Sequence, residues 1–221
     1  MDYLYLDIET IPSQNDAVKA RIAETITAPG NIKKPESIAV WEKDKKPAAV
    51  DEAISKTSFD GGRGHVCCIG LYPSHGNSGV SFDIKDDINK ETDLLELFAQ
   101  TLRGFKVPPI IVGHNVNNFD IRFLWQRAIC LGVKFPSWFP KNPKIWGHDT
   151  FDTMTAWAGQ HGTISLDNLA FNLGIKGKGE VDGSMVAQMW RDGKHQEIAD
   201  YCLDDVHLTK QIHEKMMKAG M

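Results

Sequence analysis

Apolar and polar positions alternate along Tyr3-Leu4-Tyr5-Leu6-Asp7-Ile8-Glu9-Thr10, the period of a β-strand. Residues two apart on a strand share a face, so Leu4, Leu6 and Ile8 point one way while Asp7 and Glu9 project together the other way. Pro12-Ser13 interrupts the pattern, and a helix is predicted over 15–27. The stretch 29–64 is poorly periodic and ends in Gly61-Gly62-Arg63-Gly64; it reads as an insertion, with one helix around 50–56. Strand patterns return at 65–72 and 80–84, joined by a turn-rich segment into a hairpin. Leu94, Leu95, Phe98 and Leu102 recur at helical spacing and predict an amphipathic helix over 91–103. Pro108-Pro109 precedes the short apolar run Ile110-Ile111-Val112-Gly113, which suits a buried central strand. A helix then runs to Leu131, stopped by Gly132 and capped by Asn117 or Asn118. Helical patterns follow at 165–173, 184–191 and 195–218. Strands gathered early and helices late predict an α/β fold: a mixed β-sheet layered by helices, in one domain over 1–221.

Composition narrows the function classes. With 221 residues, 42% hydrophobic and 24% charged, the chain is long enough to bury a substantial core. A net charge of −4 excludes a basic nucleic-acid-coating protein, so a polynucleotide would be met by local positive patches or metal ions. Between 31 and 46 five lysines stand against three acids, which admits either a basic flap over a substrate channel or a solvated excursion; the excursion is the plainer reading. Cys67, Cys68, Cys130 and Cys202 have neither zinc spacing nor a disulfide rhythm, and are expected to be reduced, packed thiols. With no apolar stretch of membrane-spanning length and no signal-peptide pattern, the protein is expected to be soluble and cytoplasmic, away from membranes.

Two carboxylates on one strand face repel unless something positive sits between them. Their oxygen donors suit a hard cation, Mg²⁺ or Mn²⁺; the other reading is an edge strand running into solvent. Further acids bear on the choice. Asp120 falls in the first turn of the helix after the central strand, and Tyr201 and Asp205, four apart, lie on one face of the last helix. Four carboxylates converging at one sheet edge suit a site for two divalent ions about 4 Å apart.

Asp7-Ile8-Glu9-Thr10, then His114-Asn115-x-x-x-Phe119-Asp120, then Tyr201-Cys202-x-x-Asp205 resemble, in order and kind, the three motifs of the DEDDy 3′-5′ exonucleases, which have a ribonuclease H-like fold. Within that superfamily the chain is most similar to stand-alone predicted exonucleases related to the proofreading domain of family B DNA polymerases. The likeness extends to Leu166-x-x-Leu169-Ala170-x-x-Leu173-Gly174-Ile175 and to Gly177-Lys178-Gly179 with Asp182-Gly183. The resemblance implies a 3′-5′ exonuclease that releases nucleoside 5′-monophosphates from single-stranded ends, DNA being expected and RNA the alternative. It further implies two Mg²⁺ or Mn²⁺ ions: Asp7 bridging both, Glu9 and Asp205 completing the nucleophile-side ion, Asp120 holding the other, and Tyr201 orienting the attacking water. A phenol is too weak an acid to act as base at neutral pH, so Tyr201 positions rather than deprotonates.

His195, five residues before Asp200, also fits the histidine form of the third motif, but only if it sits on a loop ahead of the helix. Thr10, Asn115, Phe119 and Lys178 match positions near the substrate, though Thr10 and Asn115 could equally serve turns, Phe119 is read as core, and Lys178 is either a phosphate contact or exposed. Asp149 and Asp152 read as helix caps and His114 as a hydrogen-bonded structural histidine. The different-class alternative is a non-catalytic platform for nucleic acid or protein on the same fold. All five of Asp7, Glu9, Asp120, Tyr201 and Asp205 being present argues against it.

Overall fold

In the computed structural model, residues 2–76, 78–144, 147–177, 179 and 181–221 are described. Five strands, β1 (Tyr3–Ile11), β2 (His65–Pro73), β3 (Val80–Asp83), β4 (Ile110–Gly113) and β5 (Thr150–Asp152), form one sheet in the order β3-β2-β1-β4-β5. β1 pairs antiparallel with β2 and parallel with β4; β5 adds parallel to β4. β1 is therefore the central strand, and its burial is nearly continuous because both of its faces are covered.

One face carries Leu4, Leu6 and Ile8, in the same core as Leu95, Phe98 and Leu102 of α4 (Glu91–Arg103) and Ile121, Phe123 and Leu124 of α5 (Asp120–Leu131). Phe98, Trp125, Phe135 and Phe139 extend this layer, packed edge against ring at centroid distances of 5.2–5.6 Å, with Trp125 and Phe139 tilted at 6.1 Å. Gly132 closes α5 at φ +73°, the left-handed geometry of a helix C-terminus. The opposite face is crossed by the 24-residue α9 (His195–Lys218), whose Val206 packs on Tyr5 and Val112. α6 (Thr153–Ala158), α7 (Leu166–Asn172) and α8 (Val186–Arg191) flank α9; Leu166, Leu169 and Ala170 pack with Leu208, Ile212 and Met216. Among the described residues no helix is long and apolar enough to cross a membrane.

The chain between β1 and β2 departs from its expected form. It holds α1 (Asp16–Thr25), α2 (Pro35–Asp44), α3 (Lys46–Ser55) and a 3₁₀ turn (Lys56–Phe59), so two helices and a turn stand where a single helix around 50–56 was predicted. Proline in the first turn of both α2 and α3 sets their starts. Neither helix buries a residue completely, which is why no apolar periodicity announced them. The segment is tied down at its far end: the buried Thr57 hydroxyl accepts from the Ser13 amide (2.8 Å), and the Gly61 amide donates to Gln126 Oε1 (3.0 Å). β5 and α6 were also not predicted, and neither Asn117 nor Asn118 caps α5, whose N-cap is Phe119, with no side-chain cap hydrogen bond.

Under the α9 face lies His213, 1% exposed, its Nδ1 3.0 Å from the Tyr5 hydroxyl and its ring edge-on to Tyr3 and Phe151. Burial pushes its pKa down to about 4. The unfolded chain takes up this proton near pH 6.5 and the folded one near 4, so this contribution is intact above about 6.5 and is lost as pH falls toward 4. His213→Phe is expected to flatten the fall of the urea midpoint between pH 6.5 and 4.5; an unchanged slope would remove His213 as its cause.

Candidate active site

Asp7 and Glu9 occupy the second half of β1 on the face that meets α9, and a bulge between Glu9 and Thr10 shifts the register with β2. What lets α9 approach is the absence of a side chain at Gly70, the residue paired with Asp7. A Cβ there would lie 2.9 Å from Cys202 Sγ and 3.0 Å from Val206 Cγ2. Cys202 Sγ consequently reaches 3.5 Å from Asp7 Oδ2, and donor atoms of Asp7, Glu9 and Cys202 all lie within 4.8 Å of one another. One residue along α9, Tyr201 hydrogen-bonds to Asp205, as their spacing of four on one helix face predicts. Sequence reasoning passed over Cys202 as a site residue; its position directly after Tyr201 was the available signal.

Asp120 arrives from the far side of β1. It starts α5, is 3% exposed, and its Oδ1 accepts the Ile8 amide at 3.1 Å, between Asp7 and Glu9 in sequence. The turn before it is held by Asp152, whose two oxygens accept the amides of Asn115 (3.0 Å) and Asn117 (3.1 Å) while capping α6 through Met154 and Thr155. Asp152 is thus a cap, as expected, and also the stitch that fixes the β4–α5 junction. Asn115 sits at φ +61°, which an asparagine tolerates, and its Oδ1 accepts from Asn118 (3.4 Å). His114 is the structural histidine expected, 2.9 Å from Thr153 Oγ1 and 2.8 Å from the Ile164 carbonyl.

The electrostatics follow from this crowding. Burial, then the charges of Glu9, Asp120 and Asp205, drive the Asp7 carboxyl well above its ordinary range, against the pull of the Cys202 hydrogen bond. Burial lifts Asp120 to about 7, opposed by backbone hydrogen bonds that include the Ile8 amide. Tyr201 is pushed up by burial and by Asp205, Glu9 and Asp7, so its hydroxyl keeps its proton at any physiological pH. A buried carboxyl raised by three neighbouring carboxylates is the condition that a divalent cation relieves, and the oxygen donors fit a hard ion such as Mg²⁺ or Mn²⁺.

Beside Glu9 opens a cleft of about 550 Å³. One wall is the segment between β1 and β2, through Ser55, Lys56, Ser58 and Phe59; the other is Gly183, Ser184, Gln188 and Arg191. Phe119 lines it, half-buried, its ring 5.7 Å from Phe123 and 6.4 Å from Phe59. It is therefore part cleft floor rather than purely core. The Thr10 hydroxyl is spent on the Ser58 carbonyl (2.8 Å), anchoring that wall. The solvated-excursion reading of 29–64 is thereby corrected in part: its C-terminal portion lines the cleft. Lys178 lies outside the described residues. His195 is the first residue of α9, not a loop residue, and its ring stands 6.3 Å from Trp190, in a depression with Cys67, Asp83 and Lys85 that none of Asp7, Glu9, Asp120 and Asp205 lines.

The fold is an α/β, ribonuclease H-like one, a mixed five-stranded sheet flanked by helices, with Asp7 and Glu9 on its central strand. Residues 65–219, more than half of the chain, match the family described as predicted 3′-5′ exonucleases related to the exonuclease domain of PolB, and the chain belongs to that family. It is 28% identical over 171 residues to DNA polymerase 2 of Aeropyrum pernix, covering 70% of this chain and 21% of the polymerase. Its structure resembles the family B DNA polymerase of the hyperthermophilic archaeon Pyrobaculum calidifontis, with a TM-score of 0.60 at 20% identity, over 98% of this chain and 24% of that one. The chain thus spans about a fifth to a quarter of the polymerases it matches.

Proposed function

We propose that residues 1–221 form one catalytic domain, a metal-dependent 3′-5′ exonuclease that removes nucleoside 5′-monophosphates from single-stranded DNA ends. The observation that carries this reading is the convergence of four carboxylates: Asp7 and Glu9 share one face of β1, Asp120 accepts the amide of Ile8 between them, and the charges of Glu9, Asp120 and Asp205 all bear on Asp7. These four carboxylates would hold two divalent ions. Once bound, such ions lower the pKa of a coordinated water and neutralise charge on the scissile phosphodiester. Tyr201, protonated and donating its one hydroxyl hydrogen to Asp205, presents its oxygen as an acceptor to the water and so orients the water's approach. Asp152 holds the turn that delivers Asp120. Tyr201→Phe is expected to slow turnover by about 10²-fold, the usual worth of one positioned hydrogen-bonding group, with metal affinity unchanged. A Tyr201→Phe enzyme at full speed would remove that role.

Metal binding carries a pH signature. Asp120 is protonated in the metal-free fold up to about 7, against about 3.9 when unfolded. Its contribution to metal-free stability is therefore present below about 3.9 and lost as pH rises toward 7. The rise in melting temperature produced by Mg²⁺ over EDTA is expected to widen between pH 5 and pH 8, because the ion replaces a proton. A pH-independent difference would count against Asp120 as a ligand. His213 titrates in the same window with opposite sign, but equally in both buffers, so it cancels.

The deciding experiment is a time course on 5′-labelled single-stranded DNA and RNA of one sequence with Mg²⁺, Mn²⁺ or EDTA. A metal-dependent ladder of shortening products, stronger on DNA, is expected. No ladder on either substrate would overturn the exonuclease reading in favour of a binding platform.

A further inference from the structure

We infer that the segment between β1 and β2 supplies a base-stacking platform, Phe59, at the mouth of the cleft, so that an unpaired base of the incoming strand rests on its ring. The inference rests on the exonuclease reading and adds a substrate-gripping element that lies outside the matched family segment of residues 65–219. An exposed phenylalanine needs no explanation by itself. Phe59, 68% exposed, is set apart by how firmly its backbone is held. The 3₁₀ turn that carries it begins at Lys56, buries Thr57 against the Ser13 amide, and hands the Ser58 carbonyl to the Thr10 hydroxyl, one residue beyond Glu9. A large apolar ring exposed on a firmly held backbone, in the cleft that Glu9 also lines, offers a face whose main chain needs no further ordering on binding.

Its surroundings suit a single nucleic-acid strand. The Phe59 and Phe119 rings stand 6.4 Å apart and tilted by 60°, which leaves no parallel slot between them, and most of the Phe59 surface stays open to solvent. The walls bring two cations, Lys56 and Arg191. Lys56 is paired with Glu52 at 2.6 Å, but both side chains are 68% exposed, and such a pair is exchanged for phosphate at small cost. Arg191 donates to Gln188 Oε1 on its own helix and presents its guanidinium at the cleft rim. Ser55, Ser58, Ser184 and Gln188 add hydrogen-bonding groups between the cations. Aromatic faces with flanking positive charge are the parts from which single-strand grooves are built, and a base held in a duplex has no free face to offer. On a chain of net charge −4, this local pair of cations is where the backbone phosphates can be met.

The test is the affinity of 5′-fluorescein-labelled hexathymidylate, read by fluorescence anisotropy in a hydrolysis-deficient Asp205→Asn background. Phe59→Ala is expected to weaken binding about tenfold, the worth of one base–aromatic stack, while Phe59→Trp restores it and Phe59→Leu does not. Melting curves confirm that each variant folds. A second probe, a hexamer of abasic tetrahydrofuran units, should bind Phe59 and Phe59→Ala proteins alike. Equal hexathymidylate affinity for Phe59 and Phe59→Ala overturns the platform while leaving the exonuclease reading standing. Equal loss in Phe59→Trp and Phe59→Ala, or a Phe59→Ala deficit that persists on the abasic strand, likewise overturns stacking. Failure of the unsubstituted protein both to bind hexathymidylate and to produce the product ladder overturns the exonuclease reading and the platform with it.

Discussion

Asp205→Asn is expected to lower the exonuclease rate by about 10³-fold or more, the consequence of losing several kcal/mol of metal-borne charge stabilisation, while leaving the fold intact. Asp205 is buried on α9, bonded to Tyr201, and its charge reaches Asp7. An amide of nearly the same shape keeps the packing and a hydrogen bond to Tyr201, but it removes one of the charges that would hold an ion. The same change should stabilise the metal-free protein, because it relieves repulsion on Asp7 within a carboxylate cluster. Loss of activity together with an unchanged or raised melting temperature in EDTA therefore separates an electrostatic site from a structural one. Asp7→Asn should behave alike, and an undiminished rate in either variant would overturn the assignment of the site.

Arg127→Ala should cost about 3–5 kcal/mol of stability, the range for stripping one partner from a buried ion pair. Arg127 Nε and Nη2 each bond an oxygen of Glu91 at 2.7 Å, a bidentate pair in which Glu91 is only 2% exposed. Glu91 also receives the Val66 amide (2.9 Å) and stands 2.8 Å from His65 Nδ1, and Arg127 Nη1 donates to the Gly61 carbonyl (3.1 Å). The cluster therefore locks the start of β2, the first turn of α4, the middle of α5 and the end of the segment that carries Phe59. Burial works to raise the Glu91 pKa, but hydrogen bonds to His65 and Arg127, the charge of Arg127 and the Val66 amide outweigh it and hold it below the ordinary range. Without Arg127 burial prevails and the folded-state pKa rises. The deficit is then smallest where Glu91 is protonated and grows as pH rises above its unfolded value, so urea midpoints at pH 5 and pH 8 should separate the two proteins more at the higher pH. A pH-independent deficit would point to lost side-chain packing instead.

Both positions differ in how far the sequence announced them. Asp205 stood out because its spacing from Tyr201 is local, a matter of helical rotation alone. The periodicity of their two helices singles out neither Glu91 nor Arg127. Only the packing of α4 and α5 against β2 brings them together and excludes water from the pair. The same division runs through the rest of the molecule. The helices over 91–103 and 195–218 have the bounds their periodicity predicts, because a continuous apolar stripe marks each from end to end. α2, with no completely buried residue, and β5, three residues long and visible only through its pairing with β4, carried no such stripe.

What the sequence by itself determined is the alternation that sets Asp7 and Glu9 on one face of β1, the helical step that joins Tyr201 to Asp205, and the family, which residues 65–219 match. The convergence of these pieces was a tertiary outcome. It needed the parallel pairing of β1 with β4, the missing side chain at Gly70 that admits α9, and the Ile8 amide that donates to Asp120. Tertiary structure also decided that Cys202 lies against Asp7, that Asp152 holds the β4–α5 turn, and that the loosely patterned segment between β1 and β2 becomes a wall of the cleft. Local patterns record which face a residue takes on its own element. Distances between elements depend on side chains that are absent, amides that are unpaired until the sheet forms, and charges that become costly only once water is gone.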